Sequence, residues 1–120
     1  MPPRDLRAYL FDIAEACQHI EDFVGDASID DYRQTAFLRS AVERQLEIIG
    51  EALNQALRYH PTLADRINET SRIIAFRNQL AHGYAAIVDD VVWDIVETNL
   101  PALRERVSAL LLETALGYDD

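Results

Sequence analysis

A chain of 120 residues, 49% hydrophobic and 27% charged, suits one compact domain that buries roughly two thirds of its unfolded surface, and no second domain is expected. No apolar run approaches the roughly 20 residues of a membrane helix, and Met1-Pro2-Pro3-Arg4-Asp5 leads into an amphipathic pattern with no signal-peptide core, so a soluble, cytoplasmic protein is expected. The formal net charge of −10 argues against whole-surface attraction to nucleic acid, yet residues 33–77 carry seven arginines against five acids and leave room for a locally positive groove.

The first helix is expected from about residue 4 to 24, because Leu6, Leu10, Ile13, Cys17, Ile20 and Val24 recur at alternating spacings of four and three, with Gly25 as its stop. Cys17, the single cysteine, lies in that seam as a small core filler and excludes an internal disulfide. His19 follows Glu15 by four residues, but no second such pair exists to complete a metal site, and no metal or other cofactor is expected. Ser28 or Asp30 caps a second helical region, whose long part runs to Tyr59 with Phe37, Leu38, Ala41, Val42, Leu46, Ile48, Ile49, Ala52, Leu53, Ala56 and Leu57 spread over two sides. This is the central helix. His60-Pro61 breaks it, Thr62 to Asn68 reads as a short connecting helix, and Asn68 or Thr70 caps the next helix, which ends at Gly83.

A further helix starts at Val88-Asp89-Asp90 with Val91, Val92, Ile95 and Val96 inward and Trp93 stapling its outer edge. Pro101 marks a kink or the first turn of the last helix, where Leu103, Val107, Leu110 and Leu111 keep helical spacing. No segment alternates with period two. The fold class is therefore all-α, an up-down bundle of four to five principal helices, with residues 1–116 as the domain and 117–120 as a frayed tail.

Chemistry concentrates in Ile73-Ile74-Ala75-Phe76-Arg77-Asn78-Gln79-Leu80-Ala81-His82-Gly83-Tyr84. On a helix, Arg77 points into the apolar side formed by Ile73, Phe76, Leu80 and Ala81, and a lone guanidinium there needs a carboxylate, a subunit interface or a cleft. Glu43, Glu47 and Glu51 step along the central helix at four-residue intervals. They form either a solvated row beside Arg39 and Arg44, or Glu51, next to Gly50 and Ala52, turns inward to fix Arg77. Asn78 and His82 stand one turn apart. A phosphate-binding cation, an amide and an imidazole that titrates near neutrality can cleave RNA, which supplies its own nucleophile in the 2′-hydroxyl. The plainer alternative keeps Arg77 as a structural ion pair, His82 as a residue favourable to the helix dipole and Tyr84 as an anchor after the cap.

Arg77-Asn78-x3-His82-x-Tyr84, together with Ile48-Ile49-Gly50-Glu51-Ala52 and Trp93, resembles the HepT-like toxins of the HEPN superfamily, formerly grouped as DUF86. Ser71-Arg72-Ile73-Ile74-Ala75-Phe76 departs from the Trp-x-x-Ile-x-Gly-Met that often precedes that motif. The resemblance implies a homodimer in which two motifs share a cleft. It also implies metal-independent RNA cleavage by Arg77, His82 and Asn78 with Glu51 in support, and a role as the toxin of a type VII-like toxin–antitoxin pair. The implied partner is a minimal nucleotidyltransferase antitoxin that transfers AMP to Tyr84. A non-catalytic helical module that binds a nucleotidyltransferase or a nucleotide is the alternative function.

Overall fold

Asp5 opens helix α1 (Leu6–Val24) by accepting the Arg7 amide at 3.2 Å, and Gly25 closes it by donating its own amide to the Glu21 carbonyl at 2.9 Å. Gly25 takes φ 51°, where a side chain would be strained. The computed structural model describes residues 4–67, 70–81 and 89–115; His82, Gly83, Tyr84 and the 117–120 tail lie outside the described residues. Along α1 the expected seam is buried, with Tyr9 and Ala16 joining Leu10, Ile13, Cys17 and Ile20 in the core, while Leu6 and Val24 are partly covered.

Ser28 and Asp31 form a reciprocal capping box at the start of α2 (Ile29–Gln34): the Ser28 hydroxyl accepts the Asp31 amide at 3.2 Å and the Asp31 carboxylate accepts the Ser28 amide at 2.9 Å. Extended Thr35 then separates this short helix from α3 (Ala36–Tyr59). Helix α3 is the centre of the bundle, packing on α1 on one side and on α4 (Ser71–Ala81) on the other, which accounts for its wide apolar surface. Phe37 is an exception to the expected core, standing 84% exposed at the open end of α3.

Three expectations change beyond α3. His60 leaves the helical region before Pro61, and the short connecting helix is a 3-10 helix confined to Pro61–Asp65, with Leu63 and Ile67 still buried. The two C-terminal helices are one continuous rod: α5 (Asp89–Asp94) passes through a π turn (Ile95–Asn99) into α6 (Leu100–Ala115). Pro101 explains the turn, since it has no amide to donate one turn back, and the Leu100 amide bonds instead to the Ile95 carbonyl five residues earlier. Trp93 does not staple an outer edge; its ring is buried against Tyr32 at 5.4 Å between centroids, whereas Val91, expected inward, faces out.

The described residues form an all-α up-down bundle in which α1, α3, α4 and the α5–α6 rod are the principal helices, and α6 closes the core against α1. None of its helices is long and apolar enough to cross a membrane.

Candidate active site at the Arg77 cleft

Helix α4 is anchored through Ile73 and Phe76, both buried, which leaves Arg77 at the edge of the apolar contact rather than beneath it. Its stem lies across α3 at Gly50: a methyl group built there would stand 2.5 Å from the Arg77 Cβ, 3.0 Å from its Cγ and 3.3 Å from the Ile73 carbonyl oxygen. Two helices can approach this closely only where one contributes no side chain. The approach carries the guanidinium to the next residue of α3, where Arg77 Nη2 pairs with Glu51 Oε2. Of the two accounts of the glutamate row, Glu51 thus turns to the arginine, while Glu47 pairs with Arg44 at 2.8 Å on the more exposed side.

The carboxylate of Glu51 is itself held. Gln55, one turn further on, donates from Nε2 to Glu51 Oε1 at 2.6 Å, while the buried Oε2 has Arg77 Nη2 as its ion-pair partner without a hydrogen bond. Arg77 Nη1 also donates to Asn78 Oδ1 at 3.3 Å. The Arg77 side chain remains 28% exposed, enough to meet a ligand from solvent.

Arg77 and Glu51 line a cleft of about 280 Å3 between α1, α3 and α4. The Arg44–Glu47 pair lines it as well, and so does Arg4, which binds Asp12 at 2.6 Å and lies over the Tyr9 ring. Hydrogen bonding to Asp12 raises the proton affinity of the Arg4 guanidinium above its ordinary value. Three guanidiniums therefore face three carboxylates, and the cleft is balanced rather than positive. The same neutralisation occurs elsewhere: Arg33 reaches Asp90, Arg66 reaches Glu113 and Arg72 reaches Asp94. Among the described residues, folding brings acids from outside the segment onto three arginines of residues 33–77, which offsets the arginine excess that the sequence shows there.

Arg77, Asn78 and Glu51 are thus brought together at one cleft, and His82 and Tyr84 lie outside the described residues. Sequence reasoning missed Gln55, whose signal was its four-residue spacing from Glu51, and Arg4 with Asp12, for which no local spacing gives a signal.

The all-α bundle is the fold of the HEPN class. Residues 13–110 match the family model described as HepT-like, "Ribonuclease HepT-like", and the chain belongs to that family. It is 35% identical over 111 residues to "Probable ribonuclease HepT" of Thermococcus cleftensis, covering 89% of this chain and 96% of the relative. It is 34% identical over 106 residues to "Putative RNase MJ0127" of Methanocaldococcus jannaschii, covering 84% and 83%. No solved structure gives a significant match.

Proposed function

We propose that this protein is a metal-independent endoribonuclease of the HEPN type that acts as a homodimer and serves as the toxin of a type VII-like toxin–antitoxin pair. The observation that carries the reading is the Arg77 guanidinium, held by Glu51 and open to a cleft, in a chain of the ribonuclease HepT-like family. The 2′-hydroxyl oxygen of the RNA attacks the adjacent phosphorus and the bond from phosphorus to the 5′-oxygen breaks, leaving a cyclic phosphate on one product and a 5′-hydroxyl on the other. His82 takes the 2′ proton and an imidazolium returns one to the departing oxygen; in a dimer, two copies of His82 can divide these tasks. Arg77 offsets the charge that gathers on the phosphoryl oxygens, and Asn78 positions the strand beside it.

In this reading a nucleotidyltransferase antitoxin silences the enzyme by adding AMP to Tyr84, whose bulk and negative charge then compete with substrate phosphate for Arg77. The nuclease assignment is tested with His82→Ala in the full chain. RNA cleavage and growth inhibition should both be lost while the oligomer persists; cleavage at the original rate would refute the assignment and leave the binding-module alternative.

A further inference from the structure

Two residues of α3 meet the Arg77 assembly without belonging to its motif. Gly50 supplies an empty position. The Arg77 Cβ occupies the space that a side chain there would need, so the arginine stem lies flat on the α3 backbone instead of being lifted away from it. A clash with Cβ and with the Ile73 carbonyl cannot be relieved by rotating a flexible side-chain end; α4 itself would have to shift. Gln55 acts at the other end of the side chain. By binding Glu51 Oε1 at 2.6 Å it stops the carboxylate from turning, which leaves Oε2 aimed at Arg77 Nη2. Depth is set by one residue and direction by the other.

We infer that Gly50 and Gln55 are positioning residues that aim the Arg77 guanidinium into the cleft. Gly50 acts by allowing the close crossing of α3 and α4, Gln55 by locking Glu51. The inference rests on the reading of Arg77 as the cation that binds the scissile phosphate. Neither residue needs to touch RNA, because misplacing a charge-stabilising group by a fraction of its length is enough to slow the chemical step.

The experiment measures kcat and KM separately for cleavage of a fluorescent single-stranded oligoribonucleotide of mixed sequence by the full chain. The variants are Gln55→Ala, Gly50→Ala, Arg77→Ala and the double variant of Gln55 and Arg77, each with its thermal midpoint. Removing the Gln55 amide should lower kcat about tenfold and Gly50→Ala about a hundredfold, with KM changed much less in both. In the Arg77→Ala background Gln55→Ala should cause no further loss, since a residue that acts only through Arg77 has nothing left to position. Wild-type kcat in Gln55→Ala, or a loss that multiplies in full with that of Arg77→Ala, would overturn the inference while the nuclease reading stands. Wild-type cleavage by Arg77→Ala would instead overturn the site assignment and the inference with it. If Gly50→Ala fails to fold, the Gln55 series decides alone, because Gln55 contributes one partly exposed hydrogen bond whose loss leaves the fold intact.

Discussion

The Cβ of Arg77 rests 2.5 Å from where a Cβ on Gly50 would stand, so the arginine of α4 and the glycine of α3 share one side-chain volume. Two opposing effects of Gly50→Ala can therefore be weighed. Alanine in a helix interior favours the helix over glycine by about 1 kcal/mol, whereas forcing an extra methyl into a filled crossing costs roughly 1–3 kcal/mol. We expect the overlap to win and the thermal midpoint of Gly50→Ala to fall by several degrees, as followed by far-ultraviolet circular dichroism. A raised midpoint would show that α4 yields without cost.

Glu51 gives a second contrast, between stability and activity. The pair is partly open, with the two side chains 28% and 40% exposed, so solvent screening keeps its contribution to folding to about 1 kcal/mol or less. Glu51→Gln should accordingly unfold within a few degrees of the parent. Its effect on RNA cleavage should be larger, at least about tenfold, because the guanidinium loses the anion that orients it. A variant that unfolds early yet cleaves at the original rate would reverse this order and make the pair structural.

The fold was legible where side-chain periodicity reports burial directly. The alternating spacing of α1 and the two-sided apolar surface of α3 led to the bundle and to the central position of α3. Arg77 was legible for a different reason: a cation at an apolar position demands a partner, and Glu51 was among the few carboxylates on the central helix. What could not be read depends on contacts between distant segments. Trp93 meets Tyr32 across more than half the chain, Val91 faces out while Val92 keeps its inward place, and the arginine excess of residues 33–77 is offset by Asp90, Asp94 and Glu113. Pro101 signalled a kink or the first turn of the last helix and lies in the first turn of α6, but the π turn before it, closed by the Leu100 amide on the Ile95 carbonyl, has no sequence signal of its own.

For the regulatory part of the proposal, the prediction concerns covalent mass. Incubation of the full chain with a cognate nucleotidyltransferase and ATP should add AMP units, detected by intact-mass spectrometry, and the addition should be absent in Tyr84→Phe. The modified protein should bind RNA more weakly, since the added phosphate lies close to Arg77 in sequence and competes for it. Addition that survives Tyr84→Phe would place the acceptor elsewhere.

Cys17 offers a test of core integrity independent of activity. The residue is 2% exposed, and burial pushes its thiol up to about 12, despite the opposing pull of Arg104. At pH 8 the folded protein should hold the neutral thiol, which is a poor nucleophile. Reaction with a disulfide reagent should be slow in buffer and fast in denaturant, with the native rate following the opening of α1 from the core. Rapid native labelling would mean that the α1 seam opens far more easily than its burial implies.

Glu43 gives a pH dependence with a definite sign. It is half-buried on α3, and its carboxyl is held above the ordinary value of 4.5, first by desolvation and then by the negative charge of Asp89, with Arg39 opposing both. The folded protein therefore binds this proton more tightly than the unfolded chain does. Ionisation costs stability: the favourable contribution is fully present below the unfolded value and is lost as pH rises through the raised folded value. Glu43→Gln, which cannot ionise, should raise the unfolding midpoint at pH 7, and the gain should shrink as pH is lowered toward 4.5 and below. Asp89→Asn should reproduce part of the effect by removing the second cause. A Glu43→Gln midpoint below that of the parent at pH 7 would show that Arg39 outweighs burial at this position.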